Sequence, residues 1–181
     1  MSAALTVPKL PVTKLDAALR QLDAAIEMFL EGRDEVAVHT LASAAEMLLG
    51  DIAKHRKVLR IIDLVKPERQ KDLLRKFREA QNFFKHGQDD PDGILSFAPS
   101  QTLFKLFEAI LHTIMLGIPA SPEREVYWCW FACTYPDTVH WDKAPEEMRR
   151  LRDIIDDLLD PLDAMNLKPF LELLRQRRTV R

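Results

Sequence analysis

The stretch DEVAVHTLASAAEMLLGDIAKHRK, residues 34–57, decides the fold of this chain. Its apolar residues recur every three or four positions, which is the period of one face of an α-helix, and Asp34 is a suitable N-cap. Such a stripe must be buried against other elements, so the stretch predicts a core helix from Asp34 to about Lys57. The apolar face consists of Val38, Leu41, Ala42, Ala45, Leu48, Leu49 and Ile52.

A second amphipathic pattern precedes this helix. Thr13 and Asp16 have the spacing of a capping box, which predicts a first helix from Thr13 to Glu31, and Gly32 follows as its stop. Because the connection to Asp34 is very short, the two helices are expected to form an antiparallel hairpin.

After the hairpin, the sequence predicts further helices but no strand. The helix that opens at Ser121 is apolar nearly all round, so we expect it to be central or at an interface. The segment VLRIIDLV, residues 58–65, is either a short helix or an extended connector. The chain is thus predicted to be an all-α, single-domain bundle of six to seven helices, 1–181, with an N-terminal extension at 1–12 and a basic tail at 175–181. The other predicted helices run from Pro67 to Gly87, from the cap Ser100 to Gly117, from Pro145 to Pro161, and from Phe170 to Leu174.

Composition sets the broad class of the protein. Of 181 residues, 47% are apolar and 30% are charged, a profile of folded globular chains long enough to bury a core without staples. The N-terminus lacks a secretory signal pattern, and the longest apolar runs fall short of the ~20 residues of a membrane span. We therefore expect a cytoplasmic protein with no membrane contact. Cys129 and Cys133, the only cysteines, are interpreted as reduced core residues.

The charges are unevenly distributed along the chain. Residues 54–86 contain eleven Lys/Arg and four Asp/Glu, a net charge of +7, whereas residues 137–163 contain four bases and nine acids, a net charge of −5. The charge of the basic segment is compatible with three roles: it would bind nucleic acid, pair with the acidic segment of this chain or of a partner, or simply face solvent.

The motif QNFFKH, residues 81–86, carries most of the functional information. At 100° per residue, Arg78, Asn82 and His86 fall on one side of the predicted helix. Basic side chains at a helix C-terminus also favour the helix dipole, so a purely structural role explains them too. The opposite, core-facing side is predicted to contain Leu73, Phe77, Ala80 and Phe84.

QNFFKH resembles the catalytic signature of HEPN-type helical proteins, in which an Arg, often followed by Asn, precedes a His on one helix. The alanine-rich hairpin before it is also similar, so the resemblance covers about residues 15–116, and NFFKHGQDDPDGILSF resembles stretches of uncharacterised bacterial helical proteins. The family implies metal-independent RNA cleavage, usually in a dimer, often in bacterial toxin and defence systems, and it includes non-catalytic members. Asn82 and His86 match the motif, whereas Gln81 replaces the Arg.

This replacement removes the fixed cation that would stabilise charge on a phosphate, although His86 is a suitable acid or base. Arg78 is the nearest substitute on the stripe, but its Cα lies ~12 Å along the helix from that of His86, against ~7.5 Å for the usual offset. The candidate catalytic residues are His86, Asn82 and Arg78.

A second polar stripe, on the helix of residues 34–57, includes His39 and Glu46. If this stripe faces the helix of QNFFKH across a cleft, then Gln81, Lys85, His39 and Glu46 are further cleft candidates, and His39 would orient His86 or help hold a ligand. No Gly-rich phosphate loop, HExxH or CxxC motif is present, and no cofactor or bound metal is predicted.

Three functional hypotheses follow. The first is a HEPN-like helical protein, non-catalytic or weakly active, that acts through a homo-oligomer, most simply a dimer, or through association with RNA or a partner protein. The second is a metal-independent RNA endonuclease of toxin or defence type that uses His86. The third is a metal- or small-molecule-binding protein whose site lies between the helices of His39 and His86.

Overall fold

The computed structural model of the chain describes residues 9–64, 66–87, 90–136, 146–157 and 166–180. Within these residues the chain forms a single-domain bundle of seven α-helices and one short 3₁₀ helix, without strands, which confirms the predicted all-α class. The α-helices are α1 (Lys14–Leu30), α2 (Glu35–His55), α3 (Pro67–Lys85), α4 (Ser100–Met115), α5 (Pro122–Thr134), α6 (Glu146–Asp156) and α7 (Lys168–Val180), and the 3₁₀ helix spans Ile61–Leu64.

Local capping fixes the hairpin of α1 and α2. The Thr13 hydroxyl accepts a hydrogen bond from the Asp16 N–H at 3.0 Å, and the Asp16 carboxylate accepts one from the Thr13 N–H at 3.2 Å. Gly32 has a φ of +64°, which only glycine adopts without strain, and the Asp34 carboxylate accepts a hydrogen bond from the Ala37 N–H at 2.9 Å. The predicted caps of both helices are confirmed.

The core lies where α2 packs against α1 and α4 and where α5 closes the bundle. As the all-round apolar pattern predicts, α5 is central: Tyr127, Trp130 and Phe131 are fully buried. The Tyr127 hydroxyl donates a hydrogen bond to the Leu103 carbonyl oxygen at 2.8 Å, which satisfies the one polar atom that this ring brings inside. The Phe29 ring of α1 lies 5.2 Å from that of Trp130.

Two predicted helix ends differ from the structure. Ser100 is the first residue of α4 rather than its cap, because Pro99 takes the N-cap position and offers no side-chain hydrogen bond. The last helix does not end at Leu174 but continues as α7 through most of the predicted basic tail, because Arg177 and Arg178 form ion pairs with acids of α5 and α1.

Other sequence expectations concern the connections. Residues 61–64 of the segment VLRIIDLV form the 3₁₀ helix, with the Arg60 and Asp63 side chains paired at 2.6 Å. The predicted helix boundaries at Pro145 and Pro161 lie outside the described residues.

The continuous apolar runs of the sequence predict no membrane span. By length and hydropathy alone, however, the 21-residue helix α2 is long and hydrophobic enough to cross a membrane. In the fold, its buried side packs against α1 and α4, as the core helix of a bundle does.

Candidate functional site on the outer side of α3

The helix α3 carries the first five residues of the motif QNFFKH and ends within it. The helix stops at Lys85, and the N–H of the C-cap residue His86 donates a hydrogen bond to the Asn82 carbonyl oxygen at 3.0 Å. Arg78, Asn82, Lys85 and His86 are all exposed. The structure therefore places the three candidate catalytic residues, with Lys85, at solvent-facing positions near the end of one helix.

Four exposed cations follow the same side of α3. We call the residues Lys71, Arg75, Arg78, Asn82 and Lys85 the α3 stripe; their spacing of four, three, four and three residues keeps them on one side of a helix over about 21 Å. Arg75 approaches the Asp72 carboxylate only to 3.8 Å, and both side chains are about three-quarters exposed, so solvent weakens this pair. Part of the basic segment thus forms one linear cationic surface.

Gln81, at the position of the motif arginine, faces the interior. It is 2% exposed, and its side-chain N–H donates a weak hydrogen bond to the Met47 sulfur of α2 at 3.9 Å. The neighbouring Ala80 is also buried. The motif is therefore divided: Gln81 attaches α3 to α2, whereas Asn82 and His86 face solvent.

His39 is also an interior residue. It is 1% exposed, and its Nδ1 lies 3.0 Å from the Thr102 hydroxyl oxygen of α4. The rings of Phe84 and Phe97 enclose it, with centroids 5.8 and 4.9 Å from its own. Burial, and secondarily the positive charge of Lys105, lower the pKa of His39 to about 4, so the ring is neutral at pH 7.

The two histidines of the predicted cleft therefore occupy different environments. His39 is closed off beneath aromatic rings, whereas His86 is exposed at the end of α3. Within the part of the chain that the structure describes, no three or more His, Cys, Asp or Glu side chains are arranged to hold a metal ion. This arrangement does not favour a ligand site shared by His39 and His86.

Glu46, the last of the candidates, belongs to a partly buried ionic group between α2 and α4. The Lys105 ammonium lies 2.9 Å from the Glu46 carboxylate and 3.8 Å from that of Glu108. The ring of Phe77, on α3, covers Lys105 with its centroid 5.3 Å from Nζ. Burial and the negative charge of Glu46 raise the pKa of Glu108 to about 7, despite the opposing effect of Lys105.

His112 adds a second buried titratable group to this region. It is 2% exposed, and neither ring nitrogen has a hydrogen-bond partner among the residues that the structure describes. A methyl group built at Gly50 would lie 3.5 Å from the His112 ring and 3.6 Å from the Glu46 carboxylate, which are ordinary van der Waals distances, so Gly50 packs beside both side chains. Burial is the first cause that lowers the pKa of His112.

We call Glu46, Lys105, Glu108 and His112 the interior polar cluster. Sequence reasoning identified only Glu46. The signal that was missed is a spacing within α4. Lys105, Glu108 and His112 lie three and four residues apart in a mostly apolar helix and so share one side of it.

Comparison with protein-family models, with curated proteins and with solved structures finds no match. The likeness of QNFFKH to the HEPN signature thus stays a prediction, and a function is inferred from the residues themselves. Chemically, the α3 stripe is suited to an anionic surface, because its cations are accessible and evenly spaced. The interior polar cluster lies between α2 and α4, with only Lys105 covered by Phe77 of α3, and its first effect is on stability.

Proposed function

We propose that this chain is a HEPN-like helical protein that acts by association rather than by catalysis, and that the α3 stripe binds its partner. The observation that carries the proposal is the burial of Gln81 against α2. RNA cleavage by attack of a 2′-hydroxyl needs a cation held at the phosphate. Gln81 is uncharged and points inward, so Asn82 and His86 are left as accessible polar groups without the charge that the motif supplies.

The chemistry of the α3 stripe favours a single-stranded RNA as the partner. Four cations over about 21 Å match a polyanion better than they match a single small anion. Asn82 lies between Arg78 and Lys85, where it would donate hydrogen bonds to phosphate or base groups. RNA is also the substrate that the HEPN resemblance implies.

Binding to a labelled 20-nucleotide single-stranded RNA, followed by fluorescence polarisation, tests this proposal. If four phosphates are neutralised, the logarithm of the binding constant should fall against that of the salt concentration with a slope of about −3, a loss of roughly 50-fold between 50 and 200 mM salt. Arg78→Glu should reduce the binding constant about tenfold and make the slope shallower by about 1.

Arg175→Glu is the matched control, because Arg175 is an exposed arginine on α7 and makes the same charge change away from α3. Equal losses in Arg78→Glu and Arg175→Glu would show that only net charge matters and would remove the α3 stripe as the binding surface. Binding that does not depend on salt would count equally against it.

A ribonuclease is the second candidate function, favoured by the exposure of Asn82 and His86 together with Arg78. Cleavage of the same RNA is compared between the wild type and His86→Ala. Cleavage by the wild type alone would establish catalysis and refute the binding-only proposal. Equal rates in both, or cleavage by neither, would leave association as the function.

A dimer is the further association that the resemblance implies. The aromatic residues of α5 are in the core and are not available for it, but α4 exposes Phe104, Ile114 and Met115, each about half accessible. Sedimentation equilibrium of the wild type and Met115→Asp tests self-association through this side. A monomer at all concentrations in both proteins would remove the dimer from the proposal.

A further inference from the structure

The helix α3 is only lightly attached to the rest of the bundle. Among its described side chains, only Ala80 and Gln81 are buried, and the hydrogen bond from Gln81 to the Met47 sulfur is long and weak. Phe77, whose ring covers Lys105, is still 41% exposed. A helix that buries so few side chains opens at a lower cost in free energy than the core does.

The backbone beyond α3 leaves room for the helix to move. The described residues between α3 and α4 contain a turn but no helix. At Gly87, just after the C-cap residue, a methyl group in place of the hydrogen would meet no atom within 4 Å. The end of α3 can therefore lift while α1, α2 and α4 remain packed together.

Beneath this end of α3 lies a histidine whose hydrogen bonding is incomplete. His39 is 1% exposed, its Nδ1 pairs with the Thr102 hydroxyl, and its Nε2 has no hydrogen-bond partner among the described residues. The Ser43 hydroxyl, one turn further along α2, is buried and unpaired in the same sense. The Phe84 ring of α3 packs on His39 at 5.8 Å. Buried polar atoms are nearly always paired, so the unpaired Nε2 marks a position where opening of the structure brings a gain.

A proton on His39 would be costly while α3 is in place. A charged imidazole donates from both nitrogens, and the Thr102 hydroxyl accepts from only one of them, so the Nε2–H would be buried without an acceptor. Burial first, and then the positive charge of Lys105, accordingly lower the pKa of His39.

The surrounding side chains do not offset this cost. The rings that face His39 from α3 and from the connection after it, Phe84 and Phe97, are uncharged. Both acids of the interior polar cluster lie beside the Lys105 ammonium, and the acid one turn before His39 is exposed. The charged groups on the two helices that hold His39 are Glu35 and Glu46 of α2 and Lys105 and Glu108 of α4.

We infer that α3 is an acid-released lid: uptake of a proton by His39 lifts Phe84 and the end of α3 from α2, while the rest of the bundle stays folded. Because the pKa of His39 is lowered from 6.5 to about 4, its contribution to the docking of α3 is present above pH 6.5 and is lost as the pH falls toward 4. A helix freed from its packing is only marginally stable in water, so the spacing of the α3 stripe would be lost. Only the resulting control of RNA binding rests on the proposed function.

Hydrogen–deuterium exchange of the full chain without RNA, measured by mass spectrometry on peptides of α1, α2 and α3 at pH 5 and pH 7, tests the inference. After correction for intrinsic exchange, α3 of the wild type should open with a constant at least about tenfold above those of α1 and α2. The opening constant of α3 in the wild type, divided by that in His39→Gln, should rise about 20-fold from pH 7 to pH 5. This ratio cancels the titration of Glu108 and His112, which both proteins share.

Two further variants complete the experiment. His39→Leu, which keeps an apolar contact with Phe84, should give the same rise, so the result does not depend on the folding of one variant. His55→Gln replaces an exposed histidine of the same helix and should match the wild type. A ratio that is equal at both pH values, exchange of α3 together with α1 and α2, or an equal effect of His55→Gln would overturn the inference. Since no RNA is present, a failure of RNA binding leaves this outcome unaffected.

Discussion

Glu108 should make the protein less stable as the pH rises toward neutrality. Its pKa is raised from 4.5 to about 7 by burial and by Glu46, so the folded chain binds a proton there that the unfolded chain releases. A raised folded-state pKa gives stability that is fully present below the unfolded value and is lost as the pH passes from about 4.5 to 7. At ~1.4 kcal/mol for each unit, the loss from this one carboxyl amounts to at most about 3 kcal/mol.

Replacement of Glu108 by Gln isolates this effect. Glutamine keeps the size of the side chain but is uncharged at every pH, so its free energy of unfolding should exceed that of the wild type by up to about 3 kcal/mol at pH 8. At pH 4.5 the two proteins should be nearly equal, because the wild-type carboxyl is then protonated. His39 and His112 act in the opposite direction, since a lowered pKa removes stability as the pH falls, but both proteins share them.

Urea unfolding followed by circular dichroism at 222 nm, at pH 4.5 and at each unit from 5 to 8, measures this difference. Glu172→Gln on α7 is the matched control, because Glu172 is an exposed glutamate on a helix away from the interior polar cluster. A difference between Glu108→Gln and the wild type that stays constant across this range, or that favours the wild type at pH 8, would refute the reasoning.

Three further variants test other features of the fold. Gly50→Ala should raise the free energy of unfolding by about 0.5–1 kcal/mol, because the helical backbone accepts alanine and the new methyl lies at an ordinary 3.5 Å from the His112 ring. A lower melting temperature would show that the ring cannot adjust. Lys57→Gly should raise the free energy of unfolding by about 1 kcal/mol, since Lys57 has a φ of +57° that glycine adopts without strain. An unchanged melting temperature would contradict this. His39→Leu should reduce the loss of helical signal between pH 6.5 and 4, where the wild-type histidine must take up a proton to unfold; an unchanged acid titration would exclude His39 as its source.

The parts of the fold that the sequence predicts are those determined by near neighbours. The capping box of Thr13 and Asp16 and the cap Asp34 act within three residues, and all of them form as expected. The central position of α5 follows from its apolar surface, which has no polar side to face water. The length of α7 was not predictable in this way, because it depends on the pairing of Arg178 with Glu27, 151 residues earlier.

The same distinction applies to the candidate site. Helical periodicity predicts that Arg78, Asn82 and His86 share the outer side of one helix. The structure has all three exposed, but α3 ends at Lys85 and His86 follows it with an extended backbone, so only Arg78 and Asn82 lie on that side. Gln81 points inward, where it contacts Met47 on another helix, and no local pattern reveals this contact. The interior polar cluster needs the pairing of α2 with α4, and its acid and base residues lie 59 positions apart at their closest contact.

The ion pairs of Arg178 have a consequence for how the chain folds during its synthesis. Arg178 joins Glu27 of α1 to Glu123 of α5, so the earliest and latest helices of the bundle meet at one guanidinium. A ribosome adding about 5–20 residues per second needs about 8–30 s to pass from residue 27 to residue 178. In the part of that interval after His55 has been added, the hairpin of α1 and α2 has been synthesised but its neighbour α7 has not. The nascent chain is therefore most exposed to proteases and to misassociation before its last helix emerges.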